Sequence, residues 1–186
     1  MSLTVTAFAG SLREKSFNKR ILNHLKEMYS EEIEVLPIDE LPLFNADLED
    51  GGDPKEVKKW KDAIKKADGL LIVTPEYSHG MPGVMKNALD WAGSESNENV
   101  LNKKPVMIVG ATPSAMGTGF SQAQLRQSLA SCGSYVLPQP QVFIAQVHKK
   151  MDQSGKLHDE QTSSFLHHAF STFRSWVQKI NRAGEE

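Results

Sequence analysis

Leu70-Leu71-Ile72-Val73-Thr74 (LLIVT) runs directly into Pro75-Glu76-Tyr77-Ser78-His79-Gly80-Met81-Pro82-Gly83 (PEYSHGMPG), and that junction decides the fold. The first run is too short and too continuously apolar for an amphipathic helix, so it predicts a central strand covered on both faces. The loop after it is punctuated by two prolines and two glycines and hands over at Pro82, a suitable helix start, to a helix reaching about Trp91.

Working outward, the same alternation recurs. Leu3 to Ala9 (LTVTAFA) predicts a first buried strand, ended by Gly10 and Ser11. Phe17, Ile21, Leu22, Leu25 and Met28 then repeat at helical spacing between Ser16 and about Tyr29. Ile33 to Ile38 is a short second strand, closed by a long loop rich in proline and acid, LPIDELPLFNADLEDGGD. Val57, Trp60, Ile64 and Ala67 mark one face of a helix over 54–67, and its many charges read as a solvated face. Pro105 to Ala111 (PVMIVGA) is a fourth buried strand and Ser121 to Ser131 a helix. Tyr135–Leu137 with Val142–Ile144 forms an interrupted fifth strand, and an amphipathic helix over about 160–180 closes the chain.

Strands alternating with helices imply a parallel sheet with right-handed crossovers and helices on both faces. Five strands in this pattern predict a flavodoxin-like three-layer α/β sandwich with strand order 2-1-3-4-5, one domain over residues 1–186. In such sheets ligands bind beyond the carboxyl ends of the strands, where the order reverses. The loops 10–18, 75–82 and 112–119 therefore converge on one site.

Composition narrows the partners. With 21 basic and 23 acidic residues the net charge is −2, which gives no global electrostatic case for nucleic acid or an anionic membrane. A single cysteine, Cys132, rules out an internal disulfide; it lies at a helix end without an evident base. The N-terminus shows no basic region followed by a long apolar one, and no run approaches a membrane span, so the expectation is a cytoplasmic protein.

The first loop, Gly10 to Arg20 (GSLREKSFNKR), is unusually basic for a helix start, where the macrodipole normally attracts acid. Ser16 is the expected N-cap, and Lys19 stands where a capping box would want Glu or Gln. An anion placed there would meet backbone N–H groups, the hydroxyls of Ser11 and Ser16, the Asn18 amide and the Arg13 guanidinium. The plain alternative is a Ser-capped helix with solvated lysines. The stretch matches neither the dinucleotide fingerprint nor the Walker P-loop. The second loop, held by its prolines and offering backbone donors and acceptors beside Tyr77, suits a flat heteroaromatic ring with a polar edge; a simple β-turn is the alternative. The third, TPSAMGTGF, is small enough to pack against such a ring, or is an ordinary strand-to-helix connection. A phosphate and a flat ring brought together by topology describe flavin mononucleotide (FMN).

GSLREKSFNKR followed about sixty residues later by TPEYSHGMPGVMKNALDW resembles the NADPH-dependent FMN reductase family, which includes quinone, azo-dye and chromate reductases. LPLFNADLE is also similar to that family's long loop after the second strand. The resemblance implies that Ser11, Arg13, Ser16, Phe17 and Asn18 hold the FMN phosphate. It also implies that Pro75, Glu76, Tyr77 and Ser78 lie along the isoalloxazine, and that Ser114, Ala115, Met116 and Gly117 approach the ring. His79-Gly80 falls in a variable part of the pattern. The activity implied is ping-pong: NADPH or NADH delivers hydride to flavin N5, and a small-molecule acceptor then takes it. That acceptor would be a quinone, azo compound, nitro compound, free flavin or metal oxyanion. No side chain is expected to act as nucleophile or general acid. A flavodoxin-like electron carrier is the rival reading, although such carriers are usually strongly acidic.

Other features read as structural. His167 and His168 are adjacent on a helix and so diverge, whereas metal pairs need i, i+3 or i, i+4 spacing. Trp60, Trp91 and Trp176 are most simply core or subunit-interface residues. Phe44 and its neighbours suit a hydrophobic lid or a contact with a second subunit, in keeping with the homodimers and homotetramers the resemblance implies.

Overall fold

A computed structural model describes residues 3–183. Among these, β1 (Val5–Ala9), β2 (Ile33–Val35), β3 (Gly69–Thr74), β4 (Pro105–Ala111), β5 (Tyr135–Val136) and β6 (Val142–Ile144) form one parallel sheet. Its order is β2-β1-β3-β4-β5, with β6 also pairing β4, so β5 and β6 are two pieces of one interrupted edge strand. The helices are α1 (Phe17–Met28), α2 (Lys55–Lys66), α3 (Gly83–Gly93), α4 (Gly119–Ser131) and α5 (Glu160–Ala183).

Alternation along the strands separates two cores. Leu71 and Val73 of β3 face α1 and α5, together with Ile21, Leu25, Phe170 and Phe173. Leu70 and Ile72 face α2, α3 and α4, together with Trp60, Met85, Leu125 and Leu129. Trp60 and Trp91 are buried, and Trp176 packs at the edge of the first core. The continuously apolar run of β3 is thus explained by helices on both sides.

The strand ends differ from the sequence reading for local reasons. β1 begins at Val5 because Thr4 donates both its N–H and its hydroxyl to Asp68, at 2.8 and 2.9 Å. β2 stops at Val35: Leu36 N–H makes one more bond to Ala7 O at 2.8 Å, and Pro37 has no N–H to continue. The face of α2 read as solvated carries a correction. Lys61 is buried and pairs with Asp53 at 2.8 Å, both side chains under a tenth exposed. Asn97 donates to the same Asp53 carboxylate at 3.2 Å and to Glu49 O at 3.0 Å, so this polar knot pins the end of the long loop to α2 and to the segment after α3.

The middle of that loop is fastened to α3. Trp91 Nε1–H and Asn87 Nδ2–H both donate to Pro42 O, at 2.8 and 2.9 Å, and Asn87 Oδ1 accepts from Phe44 N–H at 2.7 Å. Phe44 meets Trp91 edge to face at 4.9 Å. Parallel registers running Ala9 with Val73 and Thr74 with Gly110 bring β1, β3 and β4 to a common carboxyl edge. The three loops leave from that edge.

Candidate functional site

Ser16 caps α1 from an extended backbone, its Oγ accepting from Lys19 N–H at 3.4 Å. The first turn holds no acid, and the N–H groups of Phe17 and Asn18 have no partner within the helix. Ser11 and Ser16, on either side of the loop that leads into this end, are both buried, while Arg13 between them is exposed. Two hydroxyls, free N–H groups and a guanidinium form a donor set suited to a phosphate and lacking a negative partner among the described residues.

The other helix starts sharpen the contrast. The α4 first turn is equally free of acid, but Glu76 of the second loop supplies one: its Oε2 accepts from Ser121 N–H at 3.1 Å. Glu76 therefore serves as a remote cap, a role the sequence reading did not assign; acid-free Gly119 to Gln122 was the available signal. At α5, Asp159 Oδ1 accepts from Thr162 N–H at 2.9 Å. The α3 start, at Pro82-Gly83, also lacks acid and a side-chain cap, and it opens toward the second loop.

That loop closes on itself. Tyr77 and Gly80 exchange backbone hydrogen bonds of 3.0 Å each way, around Ser78 at φ 49° and His79 at φ 57°. Two successive left-handed residues make a type I′ turn, normally the place of Asn-Gly, so the Ser78-His79 pair holds the turn against its own preference. Tyr77 Oη lies 3.1 Å from Ser11 Oγ, joining the second loop to the first. Met81 N–H donates to Gln124 Oε1 at 2.9 Å, joining it to α4. Pro75 is buried at the base, and Tyr77, Ser78 and His79 are exposed.

In the third loop Ser114 N–H donates to Thr112 Oγ1 and Met116 N–H to Ser114 Oγ, both at 3.2 Å. Gly117 turns the chain at φ 74°, where a Cβ would also press on Phe143 at 3.3 Å. Ala115 and Met116 project into solvent. Thr118 folds back so tightly onto Gly110 that a side chain at Gly110 would collide with its hydroxyl.

Asn18 departs from the sequence reading. Its amide is buried, donating to Ala111 O at 2.9 Å and accepting from Ala111 N–H at 3.0 Å. The side chain that the sequence aims at a phosphate thus staples α1 to the end of β4. Its backbone N–H remains at the helix start.

The first two loops meet directly, the second is tied to the start of α4, and the third leaves the same carboxyl edge; Leu12, Tyr77, Met116 and Phe120 on these segments and Phe143 of β6 are large and exposed. A hollow of about 400 Å³ adjoins Ser11, Leu12 and the chain from Val35 to Asp39. A larger groove of about 1480 Å³ runs along the outer edge of β2 and contains none of the loop residues. Its solvated walls of Lys58, Lys59, Glu34 and Glu56 present no convergent donor set. No described helix is long and apolar enough to cross a membrane. Cys132 is half-buried, and burial pushes its thiol above the ordinary value, which leaves it a poor nucleophile.

Sheet order, carboxyl-edge loops and an acid-free α1 terminus define a flavodoxin-like α/β protein of the FMN-binding kind. Residues 3–149 match the model of the NADPH-dependent FMN reductase family, and the chain belongs to that family. It is similar to a 2-hydroxy-1,4-benzoquinone reductase of Burkholderia sp, 36% identical over 96% of this chain and 98% of that one. A quinone reductase of Pseudomonas putida is 34% identical, with 97% of each chain covered. Among solved structures, the flavoenzyme NAD(P)H:(acceptor) oxidoreductase FerB from Paracoccus denitrificans superposes with a TM-score of 0.87 at 33% identity, over 96% of this chain and 98% of that one. The chain is accordingly an oxidoreductase whose cofactor is FMN and whose co-substrate is NAD(P)H.

Proposed function

We propose that the protein is an NAD(P)H-dependent quinone reductase, in which donor and acceptor visit the same carboxyl-edge site in turn. Bound FMN would supply the chemistry, so that NAD(P)H, a proton and a quinone become NAD(P)⁺ and a hydroquinone. Ser11, Ser16, Arg13 and the Phe17 and Asn18 N–H groups would hold the phosphate. The backbone of Pro75 to Ser78 would lie along the ring, with Glu76 acting through its hold on α4. Ser114, Ala115, Met116 and Gly117 would close the other side. The observation that carries the cofactor assignment is the acid-free α1 terminus preceded by two buried hydroxyls.

Leu12, Tyr77, Met116, Phe120 and Phe143 favour a flat, largely apolar acceptor. Azo compounds, nitroaromatics and free flavin share that shape, whereas a compact oxyanion such as chromate gains little from such side chains. The quinone named for the similar Burkholderia and Pseudomonas enzymes fits the same surface. Leu43 and Leu48, exposed on the anchored long loop, suit burial in a homodimer or homotetramer, and we place the protein in the cytoplasm.

The test is direct. Purified protein is expected to carry about one FMN per chain, to bleach on anaerobic addition of NADPH or NADH, and to recover its colour on addition of a quinone. Bound flavin that neither nucleotide reduces would overturn the enzyme reading in favour of a one-electron carrier.

A further inference from the structure

His79 is exposed at the tip of the second loop and is the part with no assigned task. Its side chain is 73% exposed, and its backbone sits in the left-handed region, next to Ser78 in the same region. Such a conformation costs free energy in a non-glycine residue and persists where the surroundings over-determine it. The determinants are on both sides. The Tyr77–Gly80 exchange fixes the backbone, and the ring meets Phe120 edge to face, 5.1 Å between centroids at 81°. Nδ1 lies 3.7 Å from Glu76 Oε1, too long for a hydrogen bond but close enough for the carboxylate to orient the ring. Glu76 is itself held, since Ser121 N–H donates to its other oxygen. Nε2 is left without a hydrogen-bond partner among the described residues.

Phe120 is half exposed, and Tyr77 of the second loop and Met116 of the third are large, exposed side chains as well. The two rings stand nearly perpendicular, an exposed aromatic ring beside an imidazole whose Nε2 is unpaired among the described residues. A flat aromatic molecule packed against Phe120 would present its ring substituents to Nε2. A hydrocarbon edge there would gain nothing from the imidazole. An anionic oxygen on the ring would gain a charge-assisted hydrogen bond.

We propose that His79 is the specificity-determining residue of the acceptor site, selecting flat aromatic acceptors that carry an anionic ring oxygen over unsubstituted ones. The proposal rests on the quinone reading of the site and deepens it. Phe120 supplies the stacking surface and Glu76 the orientation, so neither loop closure nor a proton-transfer role is required of His79.

The experiment uses the FMN-loaded enzyme with two acceptors, a hydroxynaphthoquinone that is an anion at neutral pH and the unsubstituted naphthoquinone. For His79→Ala the ratio of kcat/KM for the hydroxylated to the plain acceptor is expected to fall about tenfold, mainly through KM, as for loss of one charged hydrogen-bonding partner. A second arm needs no turnover: salicylate, a flat aromatic anion that the enzyme cannot reduce, is titrated calorimetrically, and its Kd is expected to rise about tenfold in His79→Ala. His79→Asn, which accepts the left-handed backbone, separates loss of the imidazole from loss of the turn and is expected to behave as His79→Ala. An unchanged acceptor ratio with unchanged salicylate affinity, in an enzyme that does reduce quinones, overturns the His79 assignment alone. Wild-type enzyme whose flavin is reduced by NAD(P)H but reoxidised by neither quinone overturns the acceptor reading beneath it.

Discussion

Arg13 precedes a helix whose first turn holds no acid and finds none among the described residues. Because Arg13 is exposed and is part of neither core, its removal should subtract affinity without loosening the fold. Arg13→Ala is expected to weaken FMN binding by about 1.5–3 kcal/mol, the worth of a charged hydrogen-bond partner, with an unchanged melting temperature of the cofactor-free protein. Fluorescence titration of free FMN measures the first quantity and calorimetry the second. At Gly110 the direction reverses. A methyl group there collides with the Thr118 hydroxyl, so Gly110→Ala should destabilise the protein by at least about 1–3 kcal/mol and displace the third loop, measurable by denaturant titration. Single residues also mark where reading from sequence stops. Ser16 announced itself as a cap because capping is local, a hydroxyl three residues before the N–H it accepts. Asn18 could not announce Ala111, 93 residues away, because an amide buried against a strand end is created by the sheet and not by its neighbours in sequence. Glu76 is the same case, a carboxylate whose helix lies 45 residues downstream.

Elements show the same division. β4 was legible to its ends because seven consecutive buried residues bounded by proline and a loop have few other readings. The α2 charges were legible except for Lys61. Val57, Trp60, Lys61 and Ile64 share one face, and a lysine on that face signals a buried partner, here the Asp53 that precedes the helix. The consequence can be measured. Removing one member leaves a buried charge uncompensated, so Lys61→Ala or Asp53→Ala alone should cost about 3–5 kcal/mol. Replacing both with apolar residues of similar size should restore most of that loss. Urea unfolding of the two single variants and the double one provides the cycle. For α5 the cap carries a pH signature. Hydrogen bonds from Thr162 and from Lys150 hold the Asp159 carboxyl well below its ordinary value, at about 2. A carboxyl whose folded value is depressed stabilises the native state above its unfolded value and loses that contribution as pH falls through the folded one. Thermal stability should therefore drop between about pH 4 and pH 2, and Asp159→Asn, which keeps an acceptor but cannot titrate, should flatten that part of the profile. Melting curves across that interval decide it.

At the scale of the whole molecule, the sheet explains why short motifs tens of residues apart work as one site. Parallel registers end β1, β3 and β4 together, so three loops with unremarkable local alternatives are delivered to one edge. Alternation of strand and helix was enough to give the order 2-1-3-4-5, since right-handed crossovers leave few other arrangements. What the alternation did not contain was the cross-bracing among those loops: Ser11 with Tyr77, Glu76 with Ser121, and Asn18 with Ala111. The last of these bears on time as well as on space. Ala111 N–H is buried and donates to a side chain on α1, so it can meet solvent only when that helix start leaves the sheet. Its hydrogen exchange should thus report the opening of the phosphate cradle from the far side of the site, slow in the bare protein and slower still with FMN bound. In Asn18→Ala that amide should exchange at the rate of an ordinary strand end, uncoupling the clock of the third loop from that of the first.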